Sequence, residues 1–127
     1  MARFTHDLTV RFHHVDRAGI AFFARVFEFA HDAFEELLAA GTQPLTSVFD
    51  EGGWGMPLVH CEADFQHPMR MGDRLRIAVE VERMGTTSIT FRFTITGAED
   101  GRLRATVQQV HVFVDLDTFE SRSCPEP

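Results

Sequence analysis

An α+β domain, with a curved antiparallel sheet wrapped around one long central helix, is the fold this sequence predicts. Three observations predict it: one stretch of helical periodicity, several stretches of alternating apolar and polar residues, and breaks between them short enough for hairpins. The 127 residues suffice for a single domain with a single core, spanning 1–127.

The first strand is marked by Phe4, Leu8, Val10 and Phe12, which alternate with Thr5, Asp7, Thr9 and Arg11. A turn follows over residues 14–19, where Gly19 permits a sharp change of direction. From residue 22 to residue 40 the period changes. Phe23, Val26, Phe27, Ala30, Phe34, Leu37 and Leu38 recur at three- and four-residue steps, with Arg25, Glu28, Asp32, Glu35 and Glu36 on the other side. Gly41 supplies the stop. Turn residues fill 42–55, and four strands come after them. Residues 58–65 place Val59, Cys61, Ala63 and Phe65 on one face. Leu75, Ile77, Val79 and Val81 mark the next strand, and Ile89, Phe91, Phe93 and Ile95 the third. Residues 103–114 form the last, ending in Val110, Val112 and Val114. The breaks at 71–73, 84–86 and 97–101 read as hairpin turns.

A net charge of −7 argues against a broad nucleic-acid surface. It also means that an anionic ligand must be met by local arginines, which supply all 12 of the Lys and Arg positions. The N-terminus has no signal-like apolar run, and no stretch approaches the roughly 20 apolar residues of a membrane span. A cytoplasmic protein is expected. Cys61 falls in a strand and Cys124 in the terminal tail, so no disulfide scaffold is indicated.

The segment Val10-Arg-Phe-His-His-Val-Asp16-Arg-Ala-Gly19-Ile-Ala-Phe-Phe resembles the signature of the 4-hydroxybenzoyl-CoA thioesterase family of hot dog proteins: a strand, an Asp-x-Asp-x-x-Gly turn and a helix start. The first Asp of that signature is replaced by His14. A second likeness lies in Met56-Pro-Leu-Val-His-Cys-Glu-Ala-Asp-Phe65, followed by Pro68 and Gly72-Asp73. Within the family, the stretch Phe29 to Gly41 and the Leu58-Val-His60 strand look most like 1,4-dihydroxy-2-naphthoyl-CoA hydrolases. The short-chain branch has a His early in the helix, where Phe22 and Phe23 stand here.

The resemblance implies a hot dog fold and hydrolysis of an acyl-CoA thioester, with Asp16 and Gly19 in the catalytic turn and the backbone N–H of Phe23 on the thioester oxygen. The chemistry suits these residues. A carboxylate with an ordinary pKa of about 3.9 is a weak base, and partial burial of Asp16 beside Phe22 and Phe23 would raise it. Asp16 could also attack the carbonyl directly. The first turn of a helix offers unpaired N–H donors and a positive dipole end. Away from the resemblance, an Asp at this position reads first as an Asx-turn or helix N-cap that holds the Ala18-Gly19 corner.

An aromatic acyl group would meet Phe22, Phe23, Trp54 and Met56, with His60 near the acyl pocket by resemblance. For the coenzyme A phosphates the candidates are Arg83 and Arg92, with Arg70, Arg104 and Arg122 as alternatives. No cofactor is expected beyond coenzyme A as part of the substrate. His13, His14, Asp16, His31 and His60 fit no standard ligand spacing, and alternation would send His13 and His14 to opposite faces, so no metal is expected. The strand at 58–65 is the expected free edge, and two such sheets join in the resembling family, which implies a homodimer or homotetramer. A hydroxyacyl-CoA dehydratase would need a His and acid pair that this turn lacks. A non-catalytic acyl-CoA-binding protein and a thioesterase for aliphatic acyl-CoA remain open alternatives, while a purely structural sheet leaves the Asp16 motif unexplained.

Overall fold

The computed structural model describes residues 4–40 and 53–123. Seven strands and one long helix follow in the order β1 (Phe4–Thr9), α1 (Arg25–Ala39), β2 (Trp54–Gly55), β3 (Leu58–Phe65), β4 (Arg74–Met84), β5 (Ser88–Gly97), β6 (Leu103–Val112) and β7 (Val114–Asp115). Five of them form one antiparallel sheet in the order β1-β4-β5-β6-β3, and β2 pairs with β7 in a separate ribbon. The expected helix stop at Gly41, most of the 42–55 loop, and Cys124 lie outside the described residues.

Alternation drives the packing. Leu75, Ile77 and Val79 of β4, Phe91, Phe93 and Ile95 of β5, and Ala105 and Val107 of β6 are buried on one face. Helix α1 lies on that face against β1, β4 and β6 and contributes Val26, Phe29, Ala30, Ala33 and Phe34. Each fully buried Phe, Leu or Ile stabilises the fold by about 1.5–3 kcal/mol. The opposite face carries ion pairs: Arg76 with Asp7 at 2.9 Å and Arg92 with Glu82 at 3.5 Å.

Four expectations need correction. The break at 71–73 is not a hairpin, because β3 pairs with β6 and β4 pairs with β1 and β5. The first strand ends at Thr9, and residues Phe12–His14 form a 3-10 turn that leaves Phe12 81% exposed. That turn also sets the His13 and His14 rings only 4.1 Å apart, not on opposite faces. In the last strand the buried face is Ala105, Val107, Gln109 and His111, while Val110 and Val112 are half-buried on the other side. The expected edge holds: β3 is terminal in the sheet, and nearly all of it is exposed.

Candidate active site

The turn that carries Asp16 is a tight, heavily bonded corner. Residues 15 and 21 bridge, the Asp16 N–H donates to the Ile20 carbonyl at 3.1 Å, and the Gly19 N–H donates to the Asp16 carbonyl at 2.9 Å. Gly19 has φ +77°, a left-handed conformation that favours glycine. The corner is bolted to the segment before β4: the Ala21 N–H donates to the Met69 carbonyl and the Met71 N–H to that of Gly19. It is also bolted to the helix, since the Phe22 N–H donates to the His14 carbonyl at 3.0 Å. Arg25 reinforces this by donating to the His13 carbonyl at 3.0 Å while pairing with Glu28.

Within this frame Asp16 takes an Asx-turn: its Oδ1 accepts the Ala18 N–H at 2.9 Å. Its other oxygen has no partner among the described residues. The turn role occupies one carboxylate oxygen and leaves the second free among the described residues. The partial burial expected beside Phe22 and Phe23 is not found within one chain, where Asp16, Phe22 and Phe23 are all exposed.

The helix begins three residues later than its periodicity suggested. Phe22, Phe23 and Ala24 form a lead-in turn whose carbonyls accept the N–H groups of Arg25, Val26 and Phe27. Ala24 at the N-cap has no side-chain acceptor to give. The N–H of Phe23 has no acceptor among the described residues and stands at the positive end of α1. Beside the corner runs a cleft lined by Ile20, Ala21, Phe65, Gln66, His67, Pro68 and Met69. The rings of Phe22 and Phe23 pack 4.8 Å apart next to it in the chain. A carboxylate oxygen, an unpaired N–H and an apolar cleft are the parts an acyl-transfer site needs.

Arg70 bridges Ile20 beside the corner, but several other expected site residues do not join this cluster. Trp54 packs edge-on against Phe113 in the β2–β7 ribbon. Arg83, near the end of β4, pairs with Thr90. Asp16 adjoins the other end of β4, because Thr9 pairs with Arg74. The two ends are roughly 25–30 Å apart at about 3.3 Å per residue. His60 is exposed, within 3.4 Å of Glu62, and Arg92 lies on the face away from α1 beside Glu82. Arg104 is taken up by Asp100 at 3.1 Å. Among the described residues no group of three His, Cys, Asp or Glu side chains is placed to hold a metal, and no helix is long and apolar enough to cross a membrane.

His14, standing where the family signature has its first Asp, is a structural residue: Nδ1 accepts the Arg11 N–H at 2.8 Å and the ring meets Phe29 edge-on at 4.9 Å. Sequence reasoning passed over Gln109 and His111, whose polarity at inward positions of β6 was the available signal. Burial first, then the neighbouring His13 and Arg25, holds His14 below the usual histidine value of 6.5. Burial likewise lowers His111, against its bond to the Met56 carbonyl. Both rings therefore take up protons less readily in the fold than in the unfolded chain, where protonation sets in below about pH 6.5. Their contribution is thus complete above that pH and is lost as pH falls toward the lowered folded values. The melting temperature should drop between about pH 7 and pH 5, with a shallower slope in His111→Phe. An equal slope in the variant would remove His111 from the account.

The thioesterase-like superfamily model matches residues 10–127. The chain is 32% identical over 123 residues to the 1,4-dihydroxy-2-naphthoyl-CoA hydrolase of Nostoc punctiforme, covering 97% of this chain and 82% of that one. With the enzyme of the same name from Synechococcus elongatus it is 32% identical, covering 99% and 92%. The crystal structure of a 1,4-dihydroxy-2-naphthoyl-CoA thioesterase from Synechocystis superposes with a TM-score of 0.91 at 27% identity, covering 98% of this chain and 90% of that one.

Proposed function

The chain belongs to the thioesterase-like superfamily and is an acyl-CoA thioester hydrolase; from that premise we propose that it cleaves an aromatic acyl-CoA to the free acid and coenzyme A at the Asp16 corner. The observation that carries this reading is the presence, at one bonded corner, of a carboxylate oxygen and a Phe23 N–H that both lack a partner among the described residues. The thioester oxygen sits at the Phe23 N–H, where negative charge develops as the carbonyl carbon becomes tetrahedral. The free oxygen of Asp16 either takes a proton from the attacking water or attacks the carbon itself, giving an anhydride that water then opens. In both routes the C–S bond breaks and the departing thiolate is protonated.

The aromatic assignment follows the relatives, whose substrate is a naphthoyl thioester, and the exposed Phe22 and Phe23 rings, which offer flat faces for stacking. Across a panel of thioesters, kcat/KM should be higher for aromatic than for medium-chain aliphatic acyl-CoAs. The reverse ranking would replace the ring-stacking picture with an aliphatic tunnel.

The site is completed by a second copy in this reading. The β3 edge is open, and Leu58, Val59 and Phe65 are exposed along it. Antiparallel pairing of two β3 edges would turn one sheet end for end and bring Trp54 and Arg83 of the partner subunit toward the Asp16 corner. A homodimer, or a homotetramer built from it, is the working assembly, with acyl-CoA as the substrate and the cytoplasm as its place.

A further inference from the structure

Coenzyme A carries its phosphates at the far end of the pantetheine arm from the thioester. A chain of net charge −7 must therefore meet them with arginines that its own carboxylates leave free. Arg25, Arg76, Arg92 and Arg104 are each paired with an acidic side chain of the same chain. Arg70 and Arg102 are not, and both border the cleft beside the Asp16 corner. Arg70 follows the cleft residue Met69 in the chain and bridges Ile20. Arg102 arrives from across the sheet: its Nη2 lies 3.2 Å from Nε2 and 3.4 Å from Nδ1 of His67, another cleft residue.

The contact between Arg102 and His67 is held by the β5–β6 hairpin. The Arg104 carbonyl accepts the N–H groups of Gln66 and His67 at 2.8 and 3.2 Å, which joins the cleft wall to the start of β6. Asp100 shapes the hairpin itself. Its Oδ1 accepts the Arg102 N–H at 2.9 Å, and its Oδ2 accepts Nη2 of Arg104 at 3.1 Å. Both oxygens of that neighbouring carboxylate are thus engaged, and neither meets the Arg102 side chain. Asp73 is engaged in the same way, by the Arg70 N–H at 2.9 Å. Arg70 and Arg102 are both exposed, and neither guanidinium has a carboxylate partner among the described residues. A guanidinium set on an imidazole instead of a carboxylate keeps its charge and most of its donors for an outside anion.

We propose that Arg102, held on His67, anchors the phosphates of the coenzyme A moiety, with Arg70 adding a second positive charge nearer the corner. The pantetheine arm then lies in the cleft between Ile20 and Pro68. The inference rests on the thioesterase reading and adds to it the place where the nucleotide end of the substrate is held. Planar, bidentate recognition of phosphate suits arginine better than any other side chain.

The test compares naphthoyl-CoA with the same acyl group carried on pantetheine, which lacks the phosphates. In Arg102→Ala, KM for the coenzyme A ester should rise on the order of tenfold at unchanged kcat, and Arg70→Ala should give a smaller rise. For the pantetheine ester, both constants should stay within about twofold of the wild type. Added salt should raise KM for the coenzyme A ester less in Arg102→Ala than in the wild type. An equal rise for both esters overturns the inference, because Arg102 would then only shape the cleft wall through His67. An unchanged KM in Arg102→Ala overturns it as well. A wild type that releases thiol from neither ester overturns the thioesterase reading instead. Calorimetry with coenzyme A alone decides the phosphate site even then: Kd should rise about tenfold in Arg102→Ala, and an unchanged Kd would remove the site.

Discussion

Replacing Asp16 with Asn should lower kcat by a factor on the order of 100 or more while leaving KM and the fold nearly unchanged. The amide keeps the shape of the carboxylate, and its oxygen can still accept the Ala18 N–H that Asp16 Oδ1 accepts at 2.9 Å. Asn serves such turns about as well as Asp, so stability should change by no more than about 1 kcal/mol. What the substitution removes is the charge on the second oxygen, which no other described group uses. Turn geometry and turnover are thereby separated in one variant. Single-turnover hydrolysis in oxygen-18 water refines the result: label entering Asp16 marks direct attack, and its absence marks an activated water. A folded Asp16→Asn protein with wild-type turnover would reduce Asp16 to a turn residue.

A charge placed on the free sheet edge should be almost as damaging, for a different reason. Cys61 is exposed at the middle of β3, so Cys61→Lys disturbs little within the chain. A lysine there is a common device for blocking edge pairing. In the proposed assembly it keeps two β3 strands apart and leaves each Asp16 corner without the aromatic ribbon that the same chain holds at its other end. Light scattering should report a monomer, and turnover should fall by a factor on the order of 100, the usual result of a misplaced substrate. Cys61→Ser is the matching control and should remain assembled and active. A monomeric Cys61→Lys protein with full turnover would show that one chain makes a complete site.

Periodicity made the helix and the cores of β1, β4 and β5 legible, because one buried face imposes a fixed spacing on each. It could not name the partner of β3. A short link suggests a hairpin, yet residues 66–73 cross the sheet to β4, and the position of β3 depends on pairing with a strand nearly 50 residues away in the chain. Periodicity also ran past the true ends of elements. Phe12 continues an alternation and Phe22 begins an apolar stripe, but both belong to the corner that His14, Gly19 and Arg25 hold together. The Asp16 motif could be read because its residues adjoin in sequence as they do in space. Gln109 and His111 were hidden by Val110 and Val112, whose valine spacing drew attention to the outer face of the same strand.

Release of free thiol from an aromatic acyl-CoA by the purified protein, followed to steady state, tests the central claim most directly. Hydrolysis at the Asp16 corner requires continuous turnover, one thiol released for each acid formed, and an aromatic ester consumed faster than a medium-chain one. Saturable binding of the thioester with no release of thiol would contradict it and leave an acyl-CoA-binding protein in the same fold.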